Sequence, residues 1–242
     1  MPFRLDFGPL SVRWGSPLPE LTVFLVRHGQ SVLNADRQLH FTIADPEAEL
    51  TPRGHAQAEE GAVALLGELK QRQWLNRKIR LYHSDYVRAH QTANHFISAL
   101  EPVLPRFDYR MDDRIRELEF GILNGLSHQE VEQLFPSYHD YQDLLRTSDS
   151  RYYVRRMGGE SPADVADRCR SFIGAMYRDY EKHGIRTFVV VNHGLTSRVL
   201  AKLLLKQNRY WYQQQRNPQN MAIRLLVGKT DHGYIHRGVE ND

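Results

Sequence analysis

The 242-residue chain is long enough for one large α/β domain or two small ones. Its net charge of +3, from 32 basic and 29 acidic side chains, is too small to indicate a nucleic-acid binder, and no apolar run approaches the ~18 residues that a membrane span needs. The single cysteine excludes an internal disulfide framework and favours a reducing compartment, so we expect a cytoplasmic protein. Residues 1–20 contain charges and prolines but no apolar core, which argues against a secretory signal and predicts an irregular arm.

Short apolar runs and helix-start signals alternate along the rest of the chain. The predicted strands are Leu21–Val26, Lys78–His83, Phe107–Arg110, Arg186–Val191 and Met221–Val227, with a hairpin-like tail after the last. Helices are predicted to begin near Thr51, Ser84, Ser127, Ser161 and Leu195. This alternation predicts one domain over residues 1–242, folded as a three-layer α/β/α sandwich with a mostly parallel central sheet. Residues 35–50 are expected to form a loop over the strand ends, and residues 127–157 a lid or insertion.

The two most apolar strands end in the same pattern. The first is followed by R-H-G at residues 27–29, and the fourth by N-H-G at residues 192–194. Because the carboxyl ends of parallel strands meet at one edge of the sheet, where ligands bind in open α/β folds, His28 and His193 are expected to meet there. Arg88 and Glu117 also stand near element ends that can reach this edge. Two arginines and two histidines around one point indicate an oxyanion site with room for a phosphoryl group.

Six segments carry a resemblance to a known family. In chain order they read FLVRHGQSVLN, LTPRGHAQA, HSDYVRAHQTA, RIRELEFGILNG, GGESPADVADR and VVNHGLTSRVL. They resemble the serial motifs of the histidine phosphatase superfamily, the phosphoglycerate mutase-like group of phosphatases and mutases, from about Leu21 to Val227. The Tyr152-Tyr153 pair just before the G-E-S motif is similar to an acid-phosphatase-like branch of that superfamily. The resemblance implies a phosphoglycerate mutase-like fold.

The resemblance also implies roles for matching residues. His28 would be the nucleophile that becomes phosphohistidine, and Glu117, four residues before Gly121, would donate a proton to the leaving group. The residues expected to hold the phosphoryl oxygens are Arg27, Arg88 and His193. Further substrate-binding contacts are expected from Ser31, Asn34, Gly194 and Leu195. Two positions depart from the family pattern, since Gln30 replaces a commoner glutamate and Leu123-Asn124 replaces Trp-Glu.

The chemistry that these residues imply requires no metal and no other cofactor. Phosphoryl transfer depends mainly on in-line positioning and on stabilising charge at the phosphoryl oxygens. A neutral imidazole can attack phosphorus if an acceptor holds its other nitrogen, and a backbone carbonyl is the expected acceptor. Glu117 must be protonated when the alkoxide departs, which predicts better activity at mildly acidic pH.

Several residues admit a second interpretation. The two strand-end histidines could be structural loop residues, although the ordered motifs argue against this. Glu119 competes with Glu117 for the acid role, and the motif spacing favours Glu117. Cys169 falls on the apolar stripe of a predicted helix, so a buried structural thiol is favoured over a reactive one. The arginines at 151, 155 and 156 fit either a second anionic group on the substrate or ordinary solvated charge.

Three functions fit the sequence. The leading hypothesis is the hydrolysis of small phosphate monoesters, with neither nucleic acid nor a membrane as partner, and a homodimer is compatible with it. The second is a phosphoglycerate-type mutase, against which residues 122–157 form a shorter segment than the insertion that shields the phosphoenzyme in such mutases. The third is a non-catalytic module that binds phosphorylated ligands, which the intact set of candidate catalytic residues disfavours.

Overall fold

The computed structural model describes residues 21–138, 140, 143 and 152–239. The described strands are β1 (Thr22–Arg27), β2 (Ile79–His83), β3 (Phe107–Met111), β4 (Thr187–Asn192), β5 (Ile223–Val227) and β6 (Thr230–His236). The described helices are α1 (Val32–Ala35), α2 (Pro52–Gln71), α3 (Val87–Leu100), α4 (His128–Leu134), α5 (Pro162–His183), α6 (Gly194–Leu204) and α7 (Arg209–Gln214). The predicted N-terminal arm lies outside the described residues, as does part of the predicted lid.

The described strands form one mixed sheet in the order β3-β2-β4-β1-β5-β6. The first four of these are mutually parallel, as the alternation of strands and helices predicts. β5 runs antiparallel to β1, and β6 runs antiparallel to β5. The short turn at Gly228 can join only antiparallel neighbours, so the predicted hairpin-like tail becomes the last strand of the sheet. In the register of β1 against β4, Arg27 lies opposite Asn192, which brings the residues after both strands to the same level.

Side-chain caps fix where most of the helices begin. The Thr51 hydroxyl accepts a hydrogen bond from the Gly54 N–H at 3.0 Å, and Pro52 occupies the first position of α2. Ser161 forms a capping box with Asp164 at the start of α5. The cap predicted at Ser84 is wrong, because α3 has Tyr86 as its N-cap, without a side-chain bond. Ser84 instead turns towards the edge of the sheet where β2 and β4 end.

The core consists of two apolar layers, one on each face of the sheet. Along β1, Val23 and Leu25 pack into the layer formed with α5 and α6, whereas Phe24 and Val26 pack into the layer formed with α2 and α3. Alternation on a strand that is buried on both faces explains its continuous apolar run. Cys169 is buried in the α5 layer, and burial raises the pKa of its thiol to about 12, as expected for a structural cysteine. None of the described helices has the length and apolar character needed to cross a membrane.

Candidate active site

His28 lies at the carboxyl end of β1 with its ring almost fully buried. Its Nδ1 lies 2.6 Å from the carbonyl oxygen of Gly29, and because a carbonyl only accepts, Nδ1 carries the proton. Nε2 therefore has the lone pair, and the Arg88 Nε–H donates to it at 3.2 Å. The backbone N–H of His28 donates to the Asn192 carbonyl at 3.0 Å, which ties the residue to β4. The imidazole is thus held in the tautomer that a nucleophilic Nε2 requires.

His193 meets His28 at the same edge of the sheet. The ring centroids are 5.2 Å apart at an interplanar angle of 61°. The Nε2 atom of His193 lies 2.9 Å from the Ser84 hydroxyl, which also accepts a hydrogen bond from the Tyr86 N–H at 3.3 Å. Nδ1 of His193 and Nε of Arg27 are buried and have no hydrogen-bond partner among the described residues. Buried polar atoms are normally paired, so these two fit a polar ligand between the strand ends.

The electrostatic surroundings keep both imidazoles neutral. Burial lowers the pKa of His28 well below its usual value, and the neighbouring Arg88 and Arg27 cations lower it further. Burial and the same arginines also lower the pKa of His193, and a positive charge on His28 would add to the effect. The pKa of the Arg27 guanidinium is lowered by burial as well, while Glu117 acts in the opposite direction. Surroundings that disfavour further positive charge favour an anion.

Arg88 connects His28 with the segment between α1 and α2. Besides its bond to His28, it forms an ion pair with Asp45 at 3.1 Å and donates to the Asp45 carbonyl. Asp45 belongs to a 3₁₀ turn, Asp45–Glu47, inside the predicted loop over the strand ends. The loop therefore contributes a buried carboxylate next to the basic residues of the site. Asp45 was not predicted, because nothing in the local pattern of residues 35–50 indicates a buried acid.

Glu117 lies against the N-terminus of α6. Its carboxylate accepts hydrogen bonds from the backbone N–H groups of Leu195 and Thr196, at 3.1 and 3.3 Å, and from the Thr196 hydroxyl at 3.2 Å. A helix N-terminus presents unpaired N–H donors, which explains why a carboxylate binds there. The Leu195 N–H, which is expected to bind substrate, therefore donates its hydrogen bond to Glu117 in this structure. Gly194 is the first residue of the helix, next to His193.

Ser31 and Asn34 shape the chain that follows the His28 loop. They form a capping box at α1, in which the Ser31 N–H donates to Asn34 Oδ1 at 3.1 Å and the Asn34 N–H donates to the Ser31 hydroxyl. Asn220 also donates to Asn34 Oδ1, at 3.0 Å, and to the carbonyls of His28 and Gly29. The role of Ser31 and Asn34 in binding substrate stays a prediction. Asn220 has no motif around it and was not singled out from the sequence.

Glu119, and the described arginines whose roles the sequence leaves open, contact other side chains. Glu119 accepts from the Tyr86 hydroxyl at 2.9 Å and lies 3.8 Å from Arg116. Arg155 pairs with Asp164 on the surface, and Arg156 lies over the Phe120 ring at 4.3 Å from the ring centroid. Arg151 lies outside the described residues. Among the described residues, no three His, Cys, Asp or Glu side chains are arranged to hold a metal ion.

Two glycines allow the His28 loop to pack against α2. A β-carbon at Gly54 would lie 2.0 Å from the Gln30 carbonyl oxygen, and one at Gly29 would lie 2.3 Å from the Gly54 carbonyl oxygen. Gln30 adds to this contact, since its Oε1 accepts from the Thr51 hydroxyl at 2.9 Å. The glutamine that departs from the family pattern therefore supports the start of α2. The His28 loop and α2 touch backbone to backbone.

We expect Gly54→Ala to destabilise the fold by about 1–3 kcal/mol and to lower activity, because the new methyl group would push the His28 loop away from α2. Gly67→Ala in the same helix is the matched control. Nothing lies within 4 Å of a β-carbon at Gly67, so the replacement should stabilise the helix by about 0.5–1 kcal/mol. Urea unfolding and turnover of p-nitrophenyl phosphate measure both effects. Equal stability of the two variants would contradict the close packing described here.

The chain has an α/β fold with two histidines at the ends of neighbouring parallel strands, and comparison with known proteins shows the family to which this arrangement belongs. Residues 23–240 match the family model of the histidine phosphatase superfamily (branch 1). A solved structure of a mycobacterial glucosyl-3-phosphoglycerate phosphatase in complex with VO3 has the same fold, with a TM-score of 0.64 at 23% identity, over 87% of this chain and 95% of that one. The chain belongs to the histidine phosphatase superfamily.

Two curated relatives are similar over most of this chain. Phosphoglycerate mutase-like protein AT74 of Arabidopsis thaliana is 29% identical over 215 residues, which cover 84% of this chain and 64% of the relative. The match thus spans less than two thirds of that protein. Phosphoserine phosphatase 1 of Hydrogenobacter thermophilus is 28% identical over 191 residues, 78% of this chain and 79% of the relative. The relatives' names include both a mutase-like protein and a phosphatase.

Proposed function

We propose that this protein hydrolyses phosphate monoesters through a phosphohistidine intermediate on His28. The observation that carries the proposal is the His28 ring itself, which is neutral, holds its Nδ1 proton on the Gly29 carbonyl and presents Nε2 beside Arg88. Membership of the histidine phosphatase superfamily and the phosphatases among the relatives support it. Small phosphorylated molecules are the proposed substrates.

In the first half of the proposed reaction, Nε2 of His28 attacks phosphorus and the bond to the ester oxygen breaks. Arg27, Arg88 and the second imidazole, His193, stabilise the charge on the three phosphoryl oxygens. The Arg88 Nε–H, which now points at Nε2, turns to a phosphoryl oxygen as that nitrogen forms its new bond. Glu117 gives its proton to the departing alkoxide, so the alcohol leaves neutral.

In the second half, water attacks the phosphohistidine from the side that the alcohol has left. Glu117, now a carboxylate, takes a proton from that water, and the P–N bond breaks to return neutral His28 and inorganic phosphate. The hydrogen bonds from α6 keep the carboxylate at this position between the two steps. One ester and one water become one alcohol and one phosphate, without a metal or another cofactor.

A panel of phosphate monoesters tests this function. The panel contains p-nitrophenyl phosphate, phosphoserine, 3-phosphoglycerate and glucosyl-3-phosphoglycerate, and both phosphate release and isomerisation are measured, with and without a chelator. We expect phosphate release that is insensitive to the chelator. Isomerisation of 3-phosphoglycerate without free phosphate would establish the mutase instead, and binding without turnover would establish a non-catalytic module.

Light scattering of the same preparation tests the proposed homodimer, and fractionation of the source cells tests the proposed cytoplasmic location.

We expect kcat to rise as the pH falls from about 8 to about 5, because the proposed reaction needs a proton for the departing alkoxide while the His28 imidazole stays neutral. Because the pKa of His28 is lowered, its imidazole keeps the nucleophilic lone pair to a lower pH than an ordinary histidine does. The pH profile of kcat on phosphoserine measures this. A loss of activity with a single ionisation near 6.5 on acidification would contradict the neutral imidazole.

A further inference from the structure

The GGESPADVADR segment was singled out by the sequence, yet the proposed reaction uses none of its residues. Its last residue, Arg168 on α5, is largely buried and its guanidinium makes five hydrogen bonds. Nη1 donates to the carbonyls of Arg114 and Arg116, both at 2.8 Å, and Nη2 donates to the carbonyl of Glu117 at 2.9 Å. The other two bonds go to the carboxylate of Glu160. A guanidinium has five N–H groups, so every donor of Arg168 is used.

Glu160 binds both Arg168 and the backbone that follows Glu117. Its carboxylate binds Arg168 with both oxygens, at 2.8 and 2.9 Å, and Oε2 also accepts from the Glu119 N–H at 3.1 Å. The Glu160 N–H donates to the Glu119 carbonyl at 2.9 Å. The pair therefore holds the backbone on both sides of Glu117, at residues 114 and 116 before it and at residue 119 after it.

Close backbone contact adds to these bonds. A β-carbon at Gly159 would lie 2.3 Å from the Glu119 carbonyl oxygen, and one at Gly121 would lie 2.2 Å from the Met157 carbonyl oxygen. The Ile122 N–H donates to the Met157 carbonyl at 3.1 Å. Gly159 of the motif and Gly121 of the Glu117 segment are thus needed because the two chain segments touch there. The Glu117 segment has little freedom to shift.

We propose that Arg168, with Glu160 as its partner, is a positioning residue for the proton donor Glu117, an inference that rests on the proposed function. The carboxylate of Glu117 must face the leaving oxygen while it keeps its hydrogen bonds to α6, and its backbone sets both distances. The phosphate-binding residues Arg27, Arg88 and His193 lie on other elements and do not contact Arg168 in the hydrogen bonds described. Loss of Arg168 therefore affects proton transfer more than phosphate binding.

Arg168→Lys tests the proposal, because an ammonium keeps the charge but cannot reach acceptors on two sides with its three donors. For phosphoserine, whose alkoxide needs a proton, we expect the rate of phosphoenzyme formation in the first turnover to fall about 10- to 100-fold with KM within about threefold, since misplacement by about 1 Å costs up to that much. For p-nitrophenyl phosphate, whose phenolate leaves without a proton, we expect that same rate, measured by rapid quench, to fall less than about threefold. The pH profile on phosphoserine should flatten.

Arg170→Lys is the matched control. Arg170 lies on the same helix, is exposed and pairs with Asp167 on the surface, so its replacement should change neither substrate's kinetics. Glu160→Gln is the second variant, in case Arg168→Lys fails to fold, and it should show the same difference between substrates. Equal losses in the rate of phosphoenzyme formation on both substrates, or none in a folded variant, would overturn the positioning role. Absence of turnover by the unaltered protein would instead overturn the proposed function.

Discussion

His28→Ala is expected to lower kcat for every phosphate monoester by at least about 10³-fold, because the proposed reaction has no other atom to form the phosphoenzyme. The lone pair on Nε2 of His28 faces the Arg88 Nε–H at 3.2 Å, beside a guanidinium that can hold the phosphoryl oxygens. In the proposed reaction His193 holds a phosphoryl oxygen, and its Nε2 lies 2.9 Å from the Ser84 hydroxyl. The fall in kcat is measured as the rate of phosphate release from p-nitrophenyl phosphate and from phosphoserine.

His90→Ala is the control for this first prediction. His90 is on the same helix as Arg88, but its ring is exposed and stacks on His83 with the centroids 5.2 Å apart. We expect the control to retain activity within about twofold, as is usual for a surface substitution. Substantial turnover by His28→Ala, with a stability close to that of the unaltered protein, would assign the nucleophile to another residue or to water.

Glu117→Gln is expected to lower kcat for phosphoserine by about 10²- to 10⁴-fold, the usual contribution of a general acid. Glutamine fits the same space, but Leu195 and Thr196 donate to different oxygens of Glu117, so its single carbonyl oxygen can keep only one of these two bonds. For p-nitrophenyl phosphate the expected loss in phosphoenzyme formation is much smaller, because the leaving phenolate is already stable. Rapid-quench measurement of the first turnover separates this step from hydrolysis of the intermediate.

Glu119→Gln separates the two carboxylates that compete for the acid role. Glu119 accepts from the Tyr86 hydroxyl and lies near Arg116, and its side chain makes no described contact with α6 or with the two strand-end imidazoles. We expect its replacement to change kcat on phosphoserine by less than about tenfold. A larger loss for Glu119→Gln than for Glu117→Gln would transfer the acid role to Glu119.

The sequence predicts much of this fold because its main signals are local. The apolar runs before His28 and His193 are long enough to indicate buried strands, and the parallel arrangement follows from the helices between them. The capping residues of α2, α4 and α5 stand at fixed offsets from each helix start, so those boundaries could also be predicted. The meeting of the two imidazoles then depends only on the register of β1 against β4.

The features that were missed depend on contacts between distant segments. Asp45 and Asn220 lie in segments whose apolar residues show no regular spacing. Asp45 belongs to the site because it pairs with Arg88, and Asn220 because it donates a hydrogen bond to the His28 loop. The Leu195 N–H was expected to bind substrate, but only the three-dimensional approach of Glu117 to α6 shows where that donor points. Ser84 looked like a helix cap because Ser often is one, and its contact with His193 crosses from β2 to β4. No spacing rule along the chain contains this information.

Direct capture of the phosphoenzyme tests the central proposal. The protein is mixed with a labelled monoester, quenched in alkali within milliseconds and digested, and the phosphorylated residue is located by mass spectrometry. Phosphohistidine survives alkali, whereas phosphoserine and acyl phosphates do not. The mechanism predicts a phosphoryl group on Nε2 of His28 that forms and decays at rates compatible with turnover. Turnover without any phosphoenzyme, or with the label on His193 or another side chain, would contradict it.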